Sequence, residues 1–243
     1  MHPGRINLVL WPITAAILLG ILLITCRIRL YRTYPYFVSY VALQIVSYAL
    51  LFGPIQSSYP VYYYPYYASL LLSAMLSTGV AWETLANSCR PYPNLLELSL
   101  VIFRWSLVLA VIASVAIAIN QRPAESTFAN WTLFAVRASQ FAQCGLFLLL
   151  LTLYLYIGLS RRNIMFGILL GFTLLTSIST LVAGVVLVVG VYGDSGHRQS
   201  EINSVAYLSA TLIWLTYAIR ESVYFDRRTK TVDWLSSSIG PKF

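Results

Sequence analysis

The segment 131–159 constrains the fold more than any other stretch of the chain. It is apolar over more than bilayer length, yet it carries Arg137, Gln140, Gln143 and Cys144. At about 100° per residue, Arg137, Gln140 and Cys144 fall within one narrow stripe, with Gln143 about a third of a turn away. An arginine inside hydrocarbon costs ~2.5 kcal/mol or more unless it faces protein or water. The stripe therefore has to point into a bundle, and other helices have to surround it.

The rest of the chain supplies them. Hydrophobic residues make up 58% of it and charged residues 10%, against about 25% charged in a soluble domain. Apolar runs predict helices over 6–26, 34–55, 66–85, 96–119, 131–159, 164–189 and 203–219, followed by a tail over 220–243. No soluble domain of about 50 residues fits between them. The expected fold is all-α, a polytopic membrane protein with a seven-transmembrane-helix bundle as its single integral domain over 1–243. The first run, with one arginine before it and no convincing cleavage site, is expected to be a retained helix and not a signal peptide.

The net charge of +8 is not a nucleic-acid signature, because the basic residues cluster at alternate ends of the apolar runs. Arg27, Arg29, Arg32, Arg90, Arg161, Arg162 and the tail fall on one side, and only Arg5, Arg122 and Arg198 on the other. Positive charge stays inside, which puts the amino terminus outside and the carboxyl terminus inside. Three cysteines, none in an outer loop, provide no disulfide framework.

Several stripes carry polar or small residues. Phe37, Tyr40, Gln44 and Ser47 share one on the second run, and Ser69, Ser73 and Ser77 form a small-residue seam on the third. Tyr59 to Tyr67, a charge-free tyrosine-rich stretch before the third run, is expected to sit as an aromatic belt at headgroup level. The sixth run has Gly167 and Gly171 at packing spacing, then Thr173, Ser177, Thr180 and Gly184. The seventh places Asn203, Tyr207, Trp214 and Tyr217 along one face. In the tail, Arg220, Arg227, Arg228 and Lys230 alternate with aromatic residues, as in a juxtamembrane segment lying on anionic lipid headgroups.

Most chemistry lacks its residues. The only histidines are His2 and His197, both in outer positions, so nucleophilic catalysis within the membrane has no base. Glu83 alone gives neither an acid–base pair nor a metal cluster, and no glycine-rich phosphate loop is present. No enzyme activity, metal or other cofactor is expected. The short connection between the third and fourth runs is expected to place Glu83 and Arg104 at one depth, as an ion pair near the inner face. Arg137, Gln140, Asn203, Tyr207, Gln44 and Thr180 form the candidate ligand site, with Ser47 beside them in the outer half of the bundle. An arginine among amides and hydroxyls suits a carboxylate or other anion. The competing reading is that these groups satisfy one another and only fix helix register.

Tyr34-Pro-x-Phe37-x-x-Tyr40-x-x-x-Gln44, Phe103-Arg-Trp105, Arg137-x-x-Gln-Phe-x-Gln-Cys144, Phe166-Gly-x-x-x-Gly171, Asn203-Ser-x-Ala-Tyr207 and Leu212-Ile-Trp-x-x-Tyr217 resemble an uncharacterised bacterial seven-helix membrane protein family. The resemblance spans nearly the whole chain and implies a bacterial cytoplasmic membrane, but no activity. The leading expectation is a sensor or receptor-like binding module, signalling through a separate partner protein because its own tail is short. A small-solute carrier or permease is the alternative, and a ligand-free membrane scaffold the third reading. A carrier often shows internal repeats and broken helices at mid-depth, and the sequence shows neither.

Overall fold

The computed structural model describes residues 5–52, 59–89, 97, 101, 103–105, 108, 112, 127–156, 158, 160, 162–189 and 195–238. They form six continuous helices: α1 (Arg5–Arg27), α2 (Pro35–Phe52), α3 (Tyr59–Cys89), α4 (Thr127–Tyr156), α5 (Ile164–Val189) and α6 (Ser195–Ser238). A short 3-10 turn, Leu30–Arg32, joins α1 to α2 and follows Arg29, whose φ of 56° is left-handed. Most of the helix expected over 96–119 lies outside the described residues. Those that are described there, Glu97, Val101, Phe103, Arg104, Trp105, Val108 and Ile112, are all helical.

The six helices close into a ring. α1 packs on α2 and α6, α2 on α3, α3 on α4, α4 on α5, and α5 on α6. Five of them contain spans long and apolar enough to cross a membrane: Leu10–Arg27, Tyr64–Ser88, Ser139–Tyr156, Ile164–Val185 and Glu201–Phe225. The apolar part of α2, Pro35–Leu50, is shorter. The chain is an all-α polytopic membrane protein.

Burial follows lipid logic, not water logic. Leu23, Val46, Met75, Leu181 and Val185 are exposed on the ring's outside, while Thr14, Ser77, Thr84, Thr173 and Thr176 are buried. Four of these hydroxyls hand their protons to carbonyls of their own helices: Thr14 to Leu10 at 2.8 Å, Ser77 to Ser73 at 2.7 Å, Thr84 to Val80 at 2.6 Å and Thr176 to Phe172 at 2.8 Å. Without water, this local bond is how a small polar side chain stays satisfied.

Two element boundaries differ from the sequence expectation. The tyrosine run forms the first turns of α3, which begins at Tyr59 and not near Tyr66. Pro60 stands where a helix has no partner for its N–H anyway, and Pro65 removes one early bond that an otherwise continuous helix tolerates. The last helix runs on through the expected juxtamembrane tail to Ser238.

Gly167 and Gly171 do not bring two backbones together; they make room for rings. A Cβ on Gly171 would run into the Trp214 indole, and one on Gly167 into the Tyr217 ring. The Trp214 Nε1–H then reaches the Ile168 carbonyl at 3.4 Å. Around this indole lie Phe172 at 4.7 Å, Phe37 at 5.6 Å and Tyr40 at 6.1 Å between centroids, and Phe147 stacks on Phe172 at 5.0 Å. Trp214, Phe37, Phe147 and Phe172 are at most 1% exposed. This aromatic layer seals the middle of the ring.

Candidate functional site

Above the aromatic layer the ring opens into a cavity of about 500 Å³, within the range of small-molecule sites. Each of the six described helices contributes the half that lies away from the exposed arginines Arg27, Arg29, Arg32, Arg162 and Arg220. α1 gives Trp11, α2 gives Tyr40, Gln44, Ser47 and Tyr48, and α3 gives Tyr66, Ser69, Ser73 and Ser77. Across from them stand Ser139, Gln140 and Gln143 of α4, Phe172, Thr176 and Ser179 of α5, and Asn203, Ser204 and Tyr207 of α6.

The cavity has two unlike walls. One is aromatic: Trp11 meets Tyr48 edge-on at 6.2 Å, Tyr48 meets Tyr207 at 6.4 Å, and Tyr207 meets Trp214 at 6.3 Å. The other is polar and centres on Gln143, which is 4% exposed. Its Nε2 lies within bonding distance of Ser77 Oγ (2.7 Å), the Ala74 carbonyl (3.0 Å), Thr78 Oγ1 (3.1 Å) and Ser139 Oγ (3.1 Å). Two hydrogens shared among four acceptors tie α4 firmly to α3. Gln44 Nε2 similarly donates to Ser73 Oγ at 2.9 Å, joining α2 to α3. Three buried oxygens have no hydrogen-bond partner among the described residues: Asn203 Oδ1, the Tyr207 hydroxyl and Thr180 Oγ1. The first two belong to cavity-lining residues.

Of the sequence-predicted ligand residues, the structure brings Gln140, Asn203, Tyr207 and Gln44 together around the cavity, along with Ser47. The Arg137 side chain lies outside the described residues. Thr180 is not on the cavity, and the reason is rotational. On α5 the lining positions Phe172, Leu175, Thr176 and Ser179 share one face, and Thr180 sits about a quarter turn round from it. The stripe of Thr173, Ser177 and Thr180 faces α4 instead: Thr173 Oγ1 bonds the Phe147 carbonyl at 3.3 Å, and Ser177 Oγ lies 3.7 Å from Cys144 Sγ. The polar stripe on each helix marked the seam between α4 and α5, with the cavity one step around. Gln143, placed off the stripe by its spacing, is the cavity's best-connected residue.

The expected Glu83–Arg104 pair is absent from the described residues. Phe103 packs on Trp82 at 5.3 Å, so the two positions do share a depth. Their directions differ. Arg104 is exposed, whereas Glu83 is 7% exposed and turns inward. Its oxygens accept the backbone N–H groups of Tyr36 (3.3 Å) and Phe37 (3.2 Å). These are orphan donors of the first turn of α2, where a carboxyl group also meets the positive end of the helix dipole. Glu221 of α6 stands near the Ile164 N–H at the start of α5. A signal for both exists in the sequence: each carboxyl sits at the level where a neighbouring helix begins, at Tyr34-Pro35 and at Asn163-Ile164.

Comparison with protein families, with characterised proteins and with solved structures finds no match to this chain. The functional reading rests on the cavity.

Proposed function

We propose that the protein is a seven-helix, receptor-like binding module of a bacterial cytoplasmic membrane, with its amino terminus outside and its carboxyl terminus inside. The observation that carries this reading is the roughly 500 Å³ cavity holding Asn203 Oδ1 and the Tyr207 hydroxyl, neither with a hydrogen-bond partner among the described residues. A buried polar atom without a partner costs about 1–3 kcal/mol, a cost that a ligand supplying the missing bond would remove. The cavity opens at the end away from the arginines, the outer end under the positive-inside rule. The helical residues between 97 and 112 support a seventh helix. Transport would require the sealed Trp214 layer to open, so the packing supports binding without passage. The role is ligand recognition and not covalent chemistry. The long α6, with its basic end at the inner surface, is the natural contact for anionic lipids and for a separate signalling partner.

The test is thiol accessibility. In a background with Cys26, Cys89 and Cys144 replaced by serine, Ser73→Cys should react with a small membrane-impermeant thiol reagent added to whole cells. A small-molecule extract of the native cells should slow that reaction. Labelling only from the cytoplasmic face of inverted vesicles would overturn the outward-facing cavity, and labelling that no extract slows would overturn the binding role.

A further inference from the structure

The described residues between 97 and 112 divide into two faces. At about 100° per residue, Glu97, Val101, Arg104, Trp105, Val108 and Ile112 fall within an arc of about 100°, and Phe103 lies on the opposite side. The structure follows that division. Phe103 packs edge-on against Trp82 of α3 at 5.3 Å, while every residue of the arc is exposed. Val101, Trp105, Val108 and Ile112 recur at spacings of four, three and four, the a/d seam by which two helices pair.

Exposed valine and isoleucine suit lipid, but Arg104 and Trp105 do not. The contact with Trp82 fixes their depth, about 9 Å inside the end of the apolar span Tyr64–Ser88. A lipid-facing arginine is costly at that level, and Arg104 has no hydrogen bond or ion pair among the described residues. Glu97, on the same edge of the arc, is two turns away, about 10 Å along the axis. Tryptophan settles at headgroup level, yet Trp105 is 61% exposed at this greater depth.

A second copy of the chain answers both. Two copies inserted in one orientation are related by a twofold axis along the membrane normal. With Val101 and Val108 at that axis, the edge of the arc carrying Arg104 meets the edge of the other copy that carries Trp105. Consecutive in sequence, the two residues share a depth, so the face is complementary to itself, as an isologous contact requires. We propose that the protein pairs with a second copy of itself through this face, each Arg104 guanidinium lying on the Trp105 indole of the other copy. Indole is the best ring partner for such a cation, and the contact is strongest where water is excluded. Lipid gives helices no hydrophobic drive to associate, so close packing and polar contacts of this kind decide which faces pair. The inference needs 96–119 to lie in the membrane and is independent of the cavity's role.

The experiment uses the full chain. With Cys26, Cys89 and Cys144 replaced by serine, Val108→Cys should form a disulfide-linked species of twice the chain's mass on mild oxidation of intact membranes. Leu212→Cys, exposed on α6 across the ring from α3, should not. In sedimentation of the purified chain in detergent, Arg104→Gln and Trp105→Leu should each weaken dimerisation about tenfold or more, and Arg104→Lys should weaken it less. At dilutions where the chain is monomeric, these substitutions should leave the melting temperature unchanged. A chain that stays monomeric while Val108→Cys remains unlinked would overturn the pairing. A dimer that Arg104→Gln and Trp105→Leu leave intact would overturn this face as its seat. A phospholipid that co-purifies with the monomer, and is lost in Arg104→Gln, would make lipid the occupant and exclude the second copy.

Discussion

Through the middle of the ring Trp214, Phe37, Phe147 and Phe172 pack with at most 1% exposure, and towards the arginine-rich end Glu83 satisfies the start of a neighbouring helix. At the opposite end the same helices part around about 500 Å³ of space and leave Asn203 Oδ1 and the Tyr207 hydroxyl without partners among the described residues. A single helix can belong to both regimes: on α6, Trp214 lies against Gly171 while Tyr207, two turns earlier, lines the cavity. The contrast teaches where stability and binding capacity reside in such a chain. Filled volume and satisfied helix ends hold the ring together at one end, so the other can carry unsatisfied polar atoms.

Removing filled volume from the sealed half should have the largest effect. Trp214→Ala deletes the indole that Phe37, Tyr40 and Phe172 surround, and should cost about 3–5 kcal/mol. The measurement is denaturant or thermal unfolding of the purified chain in detergent. A loss below about 1 kcal/mol would mean that the aromatic layer does not hold the ring.

The next effect tests the helix clamp. Glu83→Ala leaves the Tyr36 and Phe37 N–H groups without their acceptor and should cost about 2 kcal/mol, while Arg104→Gln should change stability by less than about 0.5 kcal/mol. The double variant should show additive losses, since the two side chains share no contact. A coupling energy above about 1 kcal/mol would restore the ion pair that the sequence suggested.

The error behind that suggestion shows what a sequence can convey. Depth follows from counting along apolar runs, and it placed Glu83 and Arg104 at one level, where Phe103 does meet Trp82. Azimuth does not follow from counting, because it depends on which helices are neighbours around the ring. α2 lies beside α3, and its first turn offers Glu83 two donors that no charge pattern displays. The site shows the same limit. Gln140, Asn203, Tyr207 and Gln44 were legible because polar groups in a lipid-embedded helix must face inward. Thr180 was misread because inward includes the seam with α4 as well as the cavity. Gln143 was left out because its spacing sets it off the stripe, and Trp11 and Tyr48 because a tyrosine or tryptophan in an apolar run looks like packing until its partners are known.

A third variant probes the boundary between the two halves. Gln143→Leu removes the shared amide that ties α4 to α3. Ser77 and Thr78 keep their own-helix carbonyls, Ser73 and Ala74, and only the half-buried Ser139 hydroxyl loses its one bond among the described residues. The expected cost is therefore about 1 kcal/mol and not the 3 or so of an orphaned group. A larger loss would make the polar wall a structural element equal to the sealed layer, and the contrast between the halves would weaken.

The smallest expected change is the most discriminating. Asn203→Leu keeps the side-chain volume roughly constant and removes a buried oxygen that has no partner among the described residues. If the asparagine is there for a ligand, the ligand-free protein should be unaffected or stabilised by up to about 1 kcal/mol, because the desolvated acceptor disappears. The same variant should lose the stabilisation that the small-molecule extract of native cells confers on the parent chain, a stabilisation that grows with the logarithm of ligand concentration over Kd. Gaining stability while losing the ligand response is the signature of a residue held at a cost for binding. A destabilisation above about 1 kcal/mol with the ligand response intact would instead make Asn203 a packing residue, and the cavity end would then be held together by the same rules as the sealed one.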